Sequence, residues 1–357
     1  MFDSASSRRQ WFSQLACLGA TAALPRSTLA WPAAGAQDQG GGQPPLRIAV
    51  GARGTLYHLP LLVAQELDYF AQEKLAVRIV DFSAGAQAVQ ALASGAVDVC
   101  CGAYEHVVRG QLQGRDWRSL ALLARAPQIA LMAPAHLRLD ADPGRLATLR
   151  IGVTAPGSST HYLARLWLQG AGIPADAAQF VPVGVGTTAL DALRQGRIHA
   201  LCHADPLLTL LEQRSRVTVL ADTRSLKGTA QVYGGPMPGG CLFAAQTFIQ
   251  SQPEQAQALA NAMVRALRWL QTASPADLAQ IVPKAYLLGD RGAYLAAFEK
   301  VRETLSPDGL MPADGPVTAL RAVQRMRPEA SQQARVALER TFSNTWAHRA
   351  RAKLERV

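Results

Sequence analysis

The residues Gly152–His161, GVTAPGSSTH, place Ser158, Ser159, Thr160 and His161 in succession. Two chemistries could use them. A nucleophilic serine needs a base within hydrogen-bond reach. His161 falls inside the helix that follows, so its side chain need not reach the serines. No GxSxG elbow accompanies them either. The other chemistry is anion binding. Pro156-Gly157 after an apolar run makes a turn, and Ser158 or Ser159 then caps a helix beginning near Thr160. The first-turn N–H groups and the helix dipole would face an anion, with hydroxyls adding hydrogen bonds. A plain N-cap without a ligand is the commoner use of such a start. Its position at a strand end gives the ligand reading its weight.

Other reactive types stand at similar places. Cys101 and Cys202 end two apolar runs, with His203 beside the second. Thiolates and an imidazole could hold a soft metal. Without ligand spacing, however, a small buried residue lining a strand end is the better reading. Glu105 and Asp205 each follow those runs by a few residues. They could meet a ligand amine, or simply be favourable acids at a helix start. Tyr57, His58 and Tyr233 could stack on or hydrogen-bond a ligand, or be structural. GVGTTA at Gly184–Ala189 matches GxGxxA after a strand, but no acid closes a following strand at the spacing a dinucleotide site needs. It reads as a second ligand-facing loop or a tight turn. No catalytic residue, metal or cofactor is expected.

The elements that must position these residues come twice. LRIAVG, AVRIVDF and AVDVCCG read as buried strands, separated by the helical patterns LPLLVAQELDYFAQEKL and GAQAVQALASG. EHVVRGQLQG is a glycine-closed helix, and SLALLAR and QIALMAP follow as strands. The pattern then restarts with LRIGVT, a helix over SSTHYLARLWLQGAGI, the strand AQFVPV, the helix TTALDALRQG and the strand RIHALCH. ALASGAVDVCCG and ALRQGRIHALCH share a helix ending in glycine and a strand reaching cysteine. Alternating strands and helices mean mostly parallel sheets with helices on both faces. Two lobes of like topology follow from the repeat. The Gly/Pro-rich DTRSLKGTAQVYGGPMPGGCLFAA reads as a crossing back to the first lobe. The remainder is amphipathic helix, including one over QQARVALERTFSNTWAHRARAKL.

In such sheets ligands bind beyond the carboxyl ends of the strands. Those ends are Gly51–Leu59, Phe82–Gln87 and Cys101–Glu105 in the first lobe. In the second they are Thr154–Thr160, Val183–Thr188 and Cys202–Asp205. Facing lobes would bring them to one cleft, with hinges near Ala133 and Gly239.

At 357 residues, 49% of them apolar, the chain suits two domains of ordinary size. The net charge is +10, yet the arginines are scattered and lack interleaved aromatics, which argues against nucleic acid. Residues 1–36 read as a cleaved export signal of the twin-arginine type: Arg8 and Arg9 precede WFSQLACLGATAAL, and small-residue sites end at Ala30 and Ala36. Cys17 goes with it. Residues 37–45 form a flexible linker. The cysteines that remain, Cys100, Cys101, Cys202 and Cys241, have no determined pairing.

In this order, LPLLVAQELDYFAQEKLAVRIVDF, AVQALASGAVDVCCG, LRIGVTAPGSSTHYLARLWLQGAGI and ALDALRQGRIHALCHADP resemble the extracytoplasmic substrate-binding proteins of ABC importers. The branch is the one with sulfonate, taurine, nitrate and thiamine-pyrimidine-precursor binders. The resemblance runs from about Leu46 to Val282. It implies an α/β, type II periplasmic-binding-protein fold: two doubly wound lobes joined by two crossing segments. Lobe I would hold residues 46–133 and 240–357, and lobe II residues 134–239. It carries ligand loops onto Tyr57 and His58, onto Gly85, Ala86 and Gln87, and onto Gly102, Ala103 and Tyr104. In the second lobe it points to Ser158, Ser159, Thr160, Thr187, His203 and Asp205. His199 stands where the family usually has an acid. The implied protein is a periplasmic monomer that closes on a small, anionic organic ligand and delivers it to an inner-membrane ABC permease. A heteroaromatic vitamin precursor is the alternative within the class. Outside it stand an exported metal- or cofactor-dependent enzyme and a binding protein that signals to a receptor.

Overall fold

The computed structural model describes residues 44–137, 139, 143–326 and 336–356. The export signal and residues 37–43 of the linker lie outside the described residues. The strands are β1 (Leu46–Gly51), β2 (Val77–Phe82), β3 (Val99–Ala103), β4 (Trp117–Leu122), β5 (Ile129–Pro134), β6 (Arg150–Val153), β7 (Gln179–Pro182), β8 (Ala200–Ala204), β9 (Val217–Asp222) and β10 (Gly240–Ala245). They form two five-stranded sheets, ordered β2-β1-β3-β10-β4 and β7-β6-β8-β5-β9.

The sheets share one design. In each, three strands run parallel, as a repeated strand–helix pattern requires. In each, the fourth strand is antiparallel to both its neighbours: β10 between β3 and β4, β5 between β8 and β9. These fourth strands are exchanged along the chain. β5 follows β4 directly yet belongs to the second sheet, with Ile129 opposite Ala204 and Met132 opposite Leu201. This corrects the expected boundary. QIALMAP is not the last strand of the first lobe, because its hydrogen bonds go to β8 and β9. The first crossing therefore lies before Ile129, not near Ala133.

The stretch after β9 also differs from expectation. It holds a helix, Leu226–Tyr233, whose N-cap Ser225 accepts from the Gly228 amide. At the C-terminus the single expected helix is a 3-10 turn at Leu338–Arg340 and a helix at Thr345–Leu354. Residues 327–335 lie outside the described residues.

Pleating sorts the core. Ile48, Val50 and Cys101 turn to one face of the first sheet, where helices 59–66, 253–272 and 291–301 pack. Ala49 and Cys100 turn to the other face, toward Tyr104, Trp117 and Phe243. Cys100 and Cys101 are thus on opposite faces of one strand. All four described cysteines are free and buried.

Candidate functional site

Three helix starts meet between the lobes. Helix Gly85–Ala93 follows β2, helix Tyr104–Leu112 follows β3, and helix Ser159–Gly170 follows β6. A right-handed strand–helix unit places each start at the carboxyl end of its strand. First-turn amides have no acceptor within their own helix. Gly85, Ala103 and Ser159, at or beside these three starts, line an inner chamber of about 60 Å³; the Tyr104 amide itself donates to the Gly239 carbonyl.

Its wall includes Tyr57, His58, Gly85, Gly102 and Ala103 from the first lobe. Ser158, Ser159, Thr160 and His203 face them from the second. Thr154, from the strand end expected at Thr154–Thr160, also borders the chamber, as does His106, which sequence reasoning missed. His106 is one turn into a helix whose start was noted, so its helical phase was the available signal. Through Ala52, Thr55, His203 and Ala204 the chamber adjoins an outer cavity of about 340 Å³.

The lobes touch around the chamber. The Ala86 amide donates to Ser158 Oγ at 3.1 Å. Arg109 Nη1 donates to the Gly157 carbonyl at 2.9 Å, with its guanidinium 4.3 Å from the Tyr162 ring centroid. The Leu56 amide donates to the Asp205 carbonyl at 2.9 Å. Gly157 has φ 82, which only glycine holds without strain, and this brings its carbonyl to Arg109.

The serine-rich start works differently from the expected cap. Ser158 is the N-cap of Ser159–Gly170, but its side chain makes no bond to that helix. Its oxygen accepts across the cleft instead. Thr160 Oγ1 accepts from the Thr154 amide at 3.0 Å, tying the helix to the end of β6. His161 Nδ1 accepts from the Gly157 amide at 3.0 Å. The imidazole is therefore committed to the turn and is not paired with a serine.

Several expected residues lie away from the chamber wall. Tyr104 is fully buried and hydrogen-bonds Thr341, because the first helical residue after β3 points into the core. Gln87 is exposed and accepts from Ser83 Oγ at 2.8 Å. Ala86 contributes only its backbone contact to Ser158. Thr187 is exposed at the start of helix Thr188–Arg194, although its neighbours Val185 and Gly186 border the outer cavity. Tyr233 is buried near Glu105, outside both cavities. Asp205 turns inward: Oδ1 accepts from the Thr209 amide at 2.7 Å, and Oδ2 lies 3.5 Å from Arg224 Nη1. Burial raises its pKa, and Arg224 opposes the rise.

Cys101 and Cys202 do not converge. Cys101 packs in the first sheet's core, with its Sγ 3.4 Å from His58 Nδ1, whereas Cys202 packs in the second sheet. Burial pushes both thiols up. Among the described residues no group of three His, Cys, Asp or Glu side chains is placed to hold a metal.

The chamber histidines are held uncharged. His58 Nε2 lies 2.9 Å from the Gly51 carbonyl, and burial lowers its pKa to about 4. Burial, reinforced by Arg109, lowers His106 to about 3. His203 lies between the Ala204 carbonyl at 3.0 Å and the Gly184 carbonyl at 3.2 Å. A neutral ring can donate to only one of them. Glu105 is 3% exposed, and its Oε1 has no hydrogen-bond partner among the described residues. Burial raises its pKa, opposed by Arg109 and Ser159. The Tyr57 hydroxyl is likewise buried without a partner among the described residues.

Comparison with known proteins places this geometry. A structure from Bordetella bronchiseptica RB50 is 40% identical, with a TM-score of 0.83, and the match covers 87% of this chain and 98% of that one. The alkanesulfonate-binding protein SsuA from Xanthomonas axonopodis pv. citri, bound to MOPS, is 20% identical with a TM-score of 0.59, over 81% of this chain and 96% of that one. The periplasmic nitrate-binding protein NrtA from Synechocystis PCC 6803 is 15% identical with a TM-score of 0.66, over 87% and 89%. These likenesses establish the fold as the type II periplasmic-binding-protein fold. A 4-amino-5-hydroxymethyl-2-methylpyrimidine phosphate synthase from Uromyces fabae is 27% identical over 107 residues, which span 30% of this chain and only 31% of that protein. The model of the NMT1-like family matches residues 41–283. On that match the chain belongs to the NMT1-like family.

Proposed function

We propose that the protein is the solute-binding component of an ABC importer. It acts in the periplasm as a monomer, after export by the signal in residues 1–36, and performs no catalysis. The lobes close on a small organic ligand with an anionic head and deliver it to a membrane permease. One observation carries the anion: helix starts at Gly85, Tyr104 and Ser159 converge on one chamber. Their dipoles favour negative charge there without a lysine or arginine in the wall. Ser158, Ser159 and Thr160 would ligate the head, with Tyr57, His58, Gly85, Gly102, Ala103 and His203 closing around it. The absence of catalysis is supported by His161 Nδ1, which accepts from the Gly157 amide and is not paired with a serine.

A second reading has its own support. An amino-substituted heteroaromatic ligand could satisfy the Tyr57 hydroxyl, which is buried at the chamber wall. The likeness to the pyrimidine phosphate synthase points the same way.

A thermal-shift series with sulfonates, nitrate, carboxylates and the pyrimidine, at fixed ionic strength, separates the readings. A ligand at about a hundred times its Kd adds ~2.7 kcal/mol of stability. An anion-specific shift that is lost in Ser158→Ala supports the first reading. A shift from the pyrimidine alone, lost in Tyr57→Phe, supports the second. No shift from any of them overturns both.

A further inference from the structure

The outer cavity is about 340 Å³, at the lower end of the range of organic-ligand sites. It shares the wall residues Ala52, Thr55, His203 and Ala204 with the inner chamber, whose 60 Å³ suits only a small group. Phe82, Tyr286 and Leu288 give it apolar walls, while Arg53 and Asp81 stand at its polar side. The Tyr286 ring lies on the Gly54 backbone: a Cβ at Gly54 would stand 2.8 Å from Tyr286 Cδ1. Glycine there leaves the ring its place. Two non-glycine wall residues, Ala52 and Leu288, hold φ of 65° and 51°. Such backbone is strained and gathers at ligand clamps.

We propose that this outer cavity is a second subsite, built to take the aromatic or heteroaromatic body of the solute whose head occupies the inner chamber. Phe82 and Tyr286 offer ring contacts to such a body. Asp81 accepts the Arg53 amide at 3.2 Å through Oδ1, which leaves Oδ2 for a donor on the edge of the ligand's ring. Nitrate or a one-carbon sulfonate would fill the inner chamber alone and leave the Tyr286 wall unused. The inference rests on the importer reading above and narrows its ligand class.

Calorimetric titration of the full chain tests it, with methanesulfonate, benzenesulfonate and 4-amino-5-hydroxymethyl-2-methylpyrimidine as titrants. We expect a ring-bearing titrant to bind at least ~10-fold tighter than methanesulfonate, about 1.4 kcal/mol. Tyr286→Ala should weaken that titrant by about the same factor and leave methanesulfonate within about twofold. Ala285→Trp, which fills the cavity from its rim, should exclude the ring-bearing titrant while methanesulfonate still binds. If the pyrimidine alone binds, with the same response to both variants, the ring subsite stands and the anionic head falls. Methanesulfonate binding as tightly as either ring, or Tyr286→Ala weakening all titrants equally, overturns the subsite and leaves the importer reading intact. No binding by any titrant overturns both.

Discussion

The two lobes solve one problem with different chemistry. At the start of β1 the Arg47 amide donates to Asp98 Oδ2 at 2.8 Å, and the Arg47 guanidinium pairs with the same carboxylate. At the matching start of β6 the Arg150 amide donates to His199 Nδ1 at 3.1 Å. With no carboxylate to meet, the Arg150 guanidinium turns to the carbonyls of Arg197 and Gly196. The repeat keeps a hydrogen-bond acceptor at this site, not a charge. The acids after β3 and β8 diverge further. Glu105 faces Arg109 and Ser159 at the lobe boundary, whereas Asp205 is drawn into its own lobe by Arg224. Arg224 is 2% exposed and also contacts Glu212 at 2.9 Å and Asp222 at 2.6 Å. Lys300, from a helix packed on the first sheet, joins through Glu212 at 2.6 Å. Equivalent positions thus face the other lobe in one case and their own lobe's interior in the other.

The strongest way to break this contrast is Arg224→Leu. It leaves the fully buried Asp205 without its cation, while Glu212 keeps Lys300, and costs about 3–5 kcal/mol. Urea unfolding should show a correspondingly lower midpoint. An unchanged midpoint would mean that Asp205 is not anchored by its own lobe and is free to face the other lobe as Glu105 does.

Acid comes next. His58, at about 4, and His106, at about 3, bind protons more weakly folded than at their ordinary 6.5. Their folded pKa values are lowered, so stability is fully present above 6.5 and is lost as pH falls toward those values. At ~1.4 kcal/mol per unit, His58 alone accounts for roughly 3 kcal/mol by pH 4. Glu105 and Asp205, both raised by burial, act in the opposite sense near the carboxylate range. Asp98, lowered by Arg47, adds to the acid loss there. The melting temperature should therefore drop between pH 6.5 and 4, and less steeply in His58→Gln. A flat profile would sink the account of the buried neutral imidazoles.

The smallest effects sharpen the Arg47–Arg150 comparison. Asp98→Ala removes the acceptor of a partly buried amide and its arginine, and should cost about 1–2 kcal/mol. His199→Asp offers Arg150 the pairing that Arg47 has, and should change stability by no more than ~0.5 kcal/mol, since exposed pairs contribute little. If His199→Asp costs as much as Asp98→Ala, the two acceptors are not equivalent.

Much of this architecture was legible in the residues. The echo of LRIAVG in LRIGVT, and of ALASGAVDVCCG in ALRQGRIHALCH, records two parallel three-strand units, because periodicity and glycine stops are local properties. The strand-end rule then indicated the loops at Tyr57–His58, Gly85, Gly102–Ala103, Ser158–Thr160 and His203. The misread pieces depend on distant partners. Nothing within QIALMAP tells which sheet its amides will join, since that choice is made by β8 and β9.

By itself, then, the sequence determined the doubled α/β pattern and the helix starts that face a common cleft. Only the tertiary structure decided that Ser158 accepts from Ala86 rather than capping its own helix. It also decided that Asp205 turns to Arg224, and that Tyr286, far along the chain, walls the outer cavity. The physical reason is one of range. Turns, caps and pleat follow from neighbours a few residues apart, whereas a side chain's partner in the cleft is fixed by which lobe the chain has crossed into.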